Sequence, residues 1–93
     1  MSRQQIPLAD RRGQFISLIL SHRQKTVLRL IGKGLTSKEI VIELNLSPLT
    51  ISTYRREICH KLNVHSTAEL VAVATQWLSQ LENSDKGADI VSN

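Results

Sequence analysis

One short pattern, used three times, constrains this chain more than anything else in it. Ser21-His22-Arg23-Gln24, Thr36-Ser37-Lys38-Glu39 and Ser66-Thr67-Ala68-Glu69 each place a hydroxyl residue three positions before Gln or Glu. Such a hydroxyl accepts a backbone N–H of the first helical turn, and the Gln or Glu side chain reaches back to the N–H of the cap residue. Ser47-Pro48 adds a fourth start, because proline at the first helical position lacks an N–H that the helix would leave unpaired anyway. Leu35 with Ile40, and Leu46 with Ile51, are spaced as hydrophobic staples over two of these starts. Four starts between Ser21 and Ser66 leave room only for short helices joined by tight turns.

The first helix is expected from Ser21 to about Lys33, with Val27, Leu28 and Ile31 on one face and Gly34 as a left-handed cap. The second spans Ser37 to about Leu44 and buries Ile40, Val41 and Leu44. After the turn Asn45-Leu46-Ser47, the third runs from Pro48 to about Leu62, with Ile51, Ile58 and Leu62 facing inward. Asn63-Val64-His65 leads into a fourth helix from Thr67 to about Leu81. No strand-length alternation and no internal repeat is present. The expected fold is all-α: a compact four-helix bundle over 21–81 containing a helix-turn-helix, with an extra N-terminal arm or short helix.

Residues 1–20 form that arm, extended over 1–14 around Pro7 and Gly13 and turning helical near Asp10. Phe15, Ile16, Leu18, Ile19 and Leu20 are too apolar to be left in water, so they are expected to pack on the bundle or on another chain. Residues 82–93 read as a frayed or disordered tail.

Ninety-three residues make one domain and leave no room for a second, catalytic one. With 3% aromatic residues, the core must be aliphatic. Charge is uneven: residues 21–64 carry eight Lys or Arg against Glu39, Glu43 and Glu57, a net +5, whereas residues 65–93 are acidic. A basic middle calls for a polyanionic partner. The single cysteine, Cys59, excludes an internal disulfide and fits a reducing compartment, so a cytoplasmic protein is expected. Phe15 to Leu20 is too short to span a membrane and lacks a signal-peptide cleavage pattern. His22, His60 and His65 show no metal spacing with one another or with Cys59. With no Gly-rich phosphate loop and no nucleophile–base pair either, neither an enzyme nor a cofactor is expected.

The second and third helices, joined by a three-residue turn, read as a helix-turn-helix, although any small bundle contains such pairs. From the third helix, Leu49, Ser52, Thr53, Arg56 and His60 project opposite the Ile51/Ile58/Leu62 seam, the side that would enter a DNA major groove. Arg56 can pair bidentately with guanine, and Ser52 and Thr53 can hydrogen-bond bases or touch a thymine methyl. Phosphate contacts are expected from Ser37 and Lys38 at the start of the second helix, and from Thr50, Tyr54, Arg55 and Lys61. Each has a plainer reading. Arg55, Arg56 and Lys61 can be a solvated face, Thr50 can serve helix initiation, Tyr54 can be half-buried in the core, and Cys59 can be an inert thiol. On the fourth helix, Leu70, Ala74, Trp77 and Leu81 form one apolar stripe, with Val71 and Leu78 a quarter-turn round. An arc this wide can close the core on one side and pair with a second copy through Val71, Ala74 and Leu78, or make a single wide core contact.

Residues 20–78 also carry a specific text. Leu20-Ser21-x-Arg23-Gln24 is followed by Val27-Leu28-x-x-Ile31-x-x-Gly34-Leu35-Thr36-Ser37-Lys38-Glu39-Ile40, then Leu44-x-Leu46-Ser47-Pro48-x-Thr50-Ile51. It ends in Ile58-x-x-Lys61-Leu62-Asn63-Val64 and Ser66-x-Ala68-Glu69-Leu70-Val71. This resembles the LuxR/GerE-type helix-turn-helix domain of bacterial response regulators and quorum-sensing activators. The resemblance implies base contacts from Ser52, Thr53 and Arg56, backbone contacts from Lys38 and Thr50, and dimerisation through the fourth helix. Where Ser52 stands the family often has lysine, and where Tyr54 stands, histidine.

The function so implied is sequence-specific DNA binding by a transcription regulator, cytoplasmic and associated with the nucleoid. Its expected partners are double-stranded DNA, a second copy, and a regulatory protein or RNA polymerase. The competing reading is an interaction module that antagonises another regulator, against which the basic stripe argues. A sigma-factor region is disfavoured by the Lys61-Leu62-Asn63-Val64 join and the fourth helix. Family members usually carry a receiver or ligand-binding domain ahead of this module. With about twenty residues ahead of it here, two expectations stand: a freestanding regulator controlled by abundance or by a partner, towards which Met1 leans, or a fragment of a longer chain.

Overall fold

The computed structural model describes the backbone of residues 8–92 and the side chains of residues 13–83. Five helices follow one another: α1 (Leu8–Ile19), α2 (His22–Gly32), α3 (Ser37–Leu44), α4 (Pro48–Leu62) and α5 (Thr67–Ser92). The described residues contain no strand, so the all-α expectation holds, with α1 as the additional short helix.

The starts are made by the side chains that signal them. Ser21 accepts the Gln24 N–H at 3.2 Å while the Gln24 side chain takes the Ser21 N–H at 2.9 Å. Thr36 and Glu39 repeat this at 3.2 and 2.8 Å. The third box is shifted: Ser66 accepts the Glu69 N–H at 3.0 Å, but the Glu69 carboxylate reaches one residue further back, to the His65 N–H. Helix ends are equally local. Asn45 and Asn63 adopt the left-handed conformation after α3 and α4, which asparagine tolerates better than most side chains, and Gly34 takes φ +97° after α2.

The arm, expected to be extended around Pro7 and Gly13 and to turn helical near Asp10, is helical from Leu8 through Gly13, and residues 1–7 lie outside those described. Helix places Ile16 and Leu20, four residues apart, on one face, and both are buried. That face packs on α5, where Gly13 lies directly against the Gln80 side chain. The tail foreseen as disordered over 82–93 continues α5 as helix to Ser92. It contains no proline, and once the core holds a nucleated helix each further residue adds a hydrogen bond at little cost.

The core is aliphatic with one indole. Val27, Leu28 and Ile31 of α2 meet Ile40 of α3, Ile51 and Ile58 of α4, and Leu70, Val73, Ala74 and Trp77 of α5. The central contact is α2 against α5. A Cβ on Gly32 would come within 2.7 Å of the Ala74 carbonyl oxygen, so only glycine permits this approach. Among the described residues no helix is long and apolar enough to cross a membrane.

Candidate nucleic-acid interface

The putting together of α3 and α4 begins at the turn. Asn45 in the left-handed region reverses the chain, Leu46 packs against the core, and Ser47 caps α4 by accepting the Thr50 N–H at 3.1 Å. Ile40 and Ile51, both fully buried, draw the two helices onto α2. With Ile51 and Ile58 inward, Leu49, Ser52 and Arg56 are left exposed along the outer side of α4, with Thr53 half-buried among them and His60 further on. Ser52, Thr53 and Arg56 thus share one continuous outward surface. Ser37 and Lys38 stand exposed in the first turn of α3, and Arg55 is half-buried on α4.

The other expected phosphate ligands are already engaged within the chain. The Thr50 hydroxyl lies 2.9 Å from that of Ser47, so it takes part in starting α4. Tyr54 is half-buried and packed against the core. Lys61 donates to the Ile19 carbonyl at 3.1 Å and to Gln24 Oε1 at 2.9 Å. Cys59 is half-buried against the core.

Gln24 was legible in the sequence only as a cap, yet its buried amide joins three elements. Its oxygen accepts from the Ser21 N–H and from Lys61, while its nitrogen donates to the Glu57 carboxylate at 3.0 Å. Lys61 and Glu57 belong to α4, and Ile19 ends α1. The network therefore pins α4 to the α1–α2 joint. Lys25 adds a second tie there, donating to the Ser17 carbonyl at 3.1 Å. Both lysines satisfy carbonyls that the end of α1 leaves without helical partners. No local pattern links positions 24, 57 and 61, because the contact depends on how α2 crosses α4.

On α5, Val71 is exposed and Leu78 half-buried, but Ala74 is fully buried within the chain, where α5 touches Gly32 of α2. The stripe position foreseen for a partner chain at Ala74 is occupied by the fold itself.

Residues 18–74 match the family described as bacterial regulatory proteins, luxR family. Relatives include BvgA of Bordetella pertussis, named for transcription regulation of virulence factors and 41% identical over 60% of this chain and 27% of its own length. The Fimbriae Z protein of Salmonella typhimurium is 41% identical over 68% of this chain and 30% of its own. The response regulatory protein YgeK of Escherichia coli is 46% identical over 59% of this chain and 37% of its own. The matched part thus spans well under half of each relative. No solved structure matches the chain significantly. Helix order, the α3–α4 turn and a match over more than half of its length make the chain a member of the luxR family of bacterial regulatory proteins.

Proposed function

We propose that the protein is a sequence-specific DNA-binding transcription regulator that sets α4 into the major groove. The observation that carries this reading is the outward surface of α4, where Ser52, Thr53 and Arg56 stand together on a helix whose opposite side is fully occupied by the core. Arg56 reads guanine through paired hydrogen bonds, and Ser52 and Thr53 read neighbouring base edges. Ser37, Lys38 and Arg55 hold phosphates and set the register, the first two aided by the N–H groups at the start of α3. Thr50, whose hydroxyl lies against that of Ser47, and Tyr54, packed against the core, support α4 and are secondary phosphate contacts.

The regulator acts in the cytoplasm as a dimer on two half-sites, paired through the side of α5 that carries the exposed Val71 and the half-buried Leu78. A regulatory protein or RNA polymerase is the further partner, and binding rather than catalysis is the activity.

The test is selection of bound duplexes from random DNA, followed by Arg56→Ala on the selected site. Specific binding should fall by about 1–3 kcal/mol, with the loss concentrated at one base pair per half-site. Equal binding to selected and scrambled duplexes at physiological salt, or an Arg56→Ala protein with unchanged discrimination, would sink the reading.

A further inference from the structure

Among the described residues, the large apolar side chains left exposed are Phe15, Leu18, Ile42, Leu49 and Val71. Leu49 alone of these belongs to α4, where it is 73% exposed in the first turn. The fold has no use for it. Ser47 caps the helix, Leu46 packs against the core from the turn, and Ile51 fills the buried position beside it. Thr53 lies one helical turn beyond Leu49 and Arg56 two, so all three share a line on the outward surface. A leucine is therefore presented among hydrogen-bonding side chains at the end of α4 that approaches base edges most closely.

The major groove offers one apolar group to meet it, the C5-methyl of thymine. Every other base edge presents donors or acceptors, which an isobutyl group would strip of water without pairing. We infer that Leu49 reads thymine in the major groove by packing on its C5-methyl, as a specificity-determining residue beside Ser52, Thr53 and Arg56. This inference rests on the DNA-binding reading above. It adds an apolar contact to the hydrogen bonds assigned to Ser52, Thr53 and Arg56, and Leu49→Ala separates it from any methyl contact made by Thr53.

Uracil tests it directly, since it pairs with adenine as thymine does and lacks only the methyl group. In the selected duplex each thymine is replaced singly by deoxyuridine, and affinity is measured for the full chain and for Leu49→Ala and Leu49→Met. One position per half-site should weaken wild-type binding by about four-fold, the worth of one buried methyl-sized group. Leu49→Ala should bind the thymine and uracil duplexes alike, while Leu49→Met keeps the difference. Unfolding midpoints should not move, because Leu49 lies outside the core. If no thymine position responds, or if Leu49→Ala responds as strongly as wild type, the inference is overturned and the DNA-binding reading stands. If no sequence is enriched at all, both fall together.

Discussion

Two lysines of equal formal charge serve different ends in this chain. Lys38 stands exposed at the start of α3, whereas the Lys61 ammonium is held by the Ile19 carbonyl and the Gln24 amide. A phosphate contact releases counterions, so neutralising Lys38 should reduce the slope of log affinity against log salt by about 0.9. Lys61→Met should leave that slope unchanged, lower affinity for all sequences alike, and cost about 1 kcal/mol of stability by removing one of the two hydrogen bonds to the Gln24 oxygen and the one to the Ile19 carbonyl. Fluorescence anisotropy at several salt concentrations, with urea unfolding of the same proteins, separates the two. From sequence both read as basic residues near a helix-turn-helix. What distinguishes them is a contact over 37 positions between Gln24 and Lys61, which no window along the chain contains. Residues acting through local geometry were easier to read: Ser21, Thr36 and Ser47 cap the helices their spacing announces.

Among the elements, α3 and α4 end where their sequence signals place them, because caps and left-handed asparagines act within one turn. The lengths of α1 and α5 were not legible in the same way. The far end of α5 carries no strong local stop, so simple propagation decides its length. The α2–α5 contact is likewise tertiary. Alanine is favoured over glycine in a helix by about 1 kcal/mol, so local propensity alone makes Gly32→Ala stabilising. Against the Ala74 carbonyl oxygen, 2.7 Å from where the new methyl would sit, the same change should instead destabilise by about 1–3 kcal/mol. Urea denaturation measures it. Ala74→Gly should not rescue the variant, because the obstructing atom is backbone.

For the whole molecule, the question raised by the wide apolar arc of α5 is how much of it the chain consumes. Leu70, Val73, Ala74 and Trp77 are buried, and Val71 is left exposed beside the half-buried Leu78. If these two pair with a second copy, Val71→Asp should shift the protein to monomer in sedimentation, weaken binding to a two-half-site duplex at least ~10-fold, and leave binding to a single half-site unchanged. The sequence by itself determined the starts of α2 to α5, the α3–α4 turn, the inward seam of α4 and the basic character of its middle. Each of these depends on side chains within a turn of one another or on charge that adds without regard to shape. Only the tertiary structure decided that Ala74 belongs to the core, that Lys61 clamps the α1–α2 joint, and that α1 closes over α5. Those outcomes depend on which faces meet when helices cross, and the free energy of that choice is shared among residues distant in sequence.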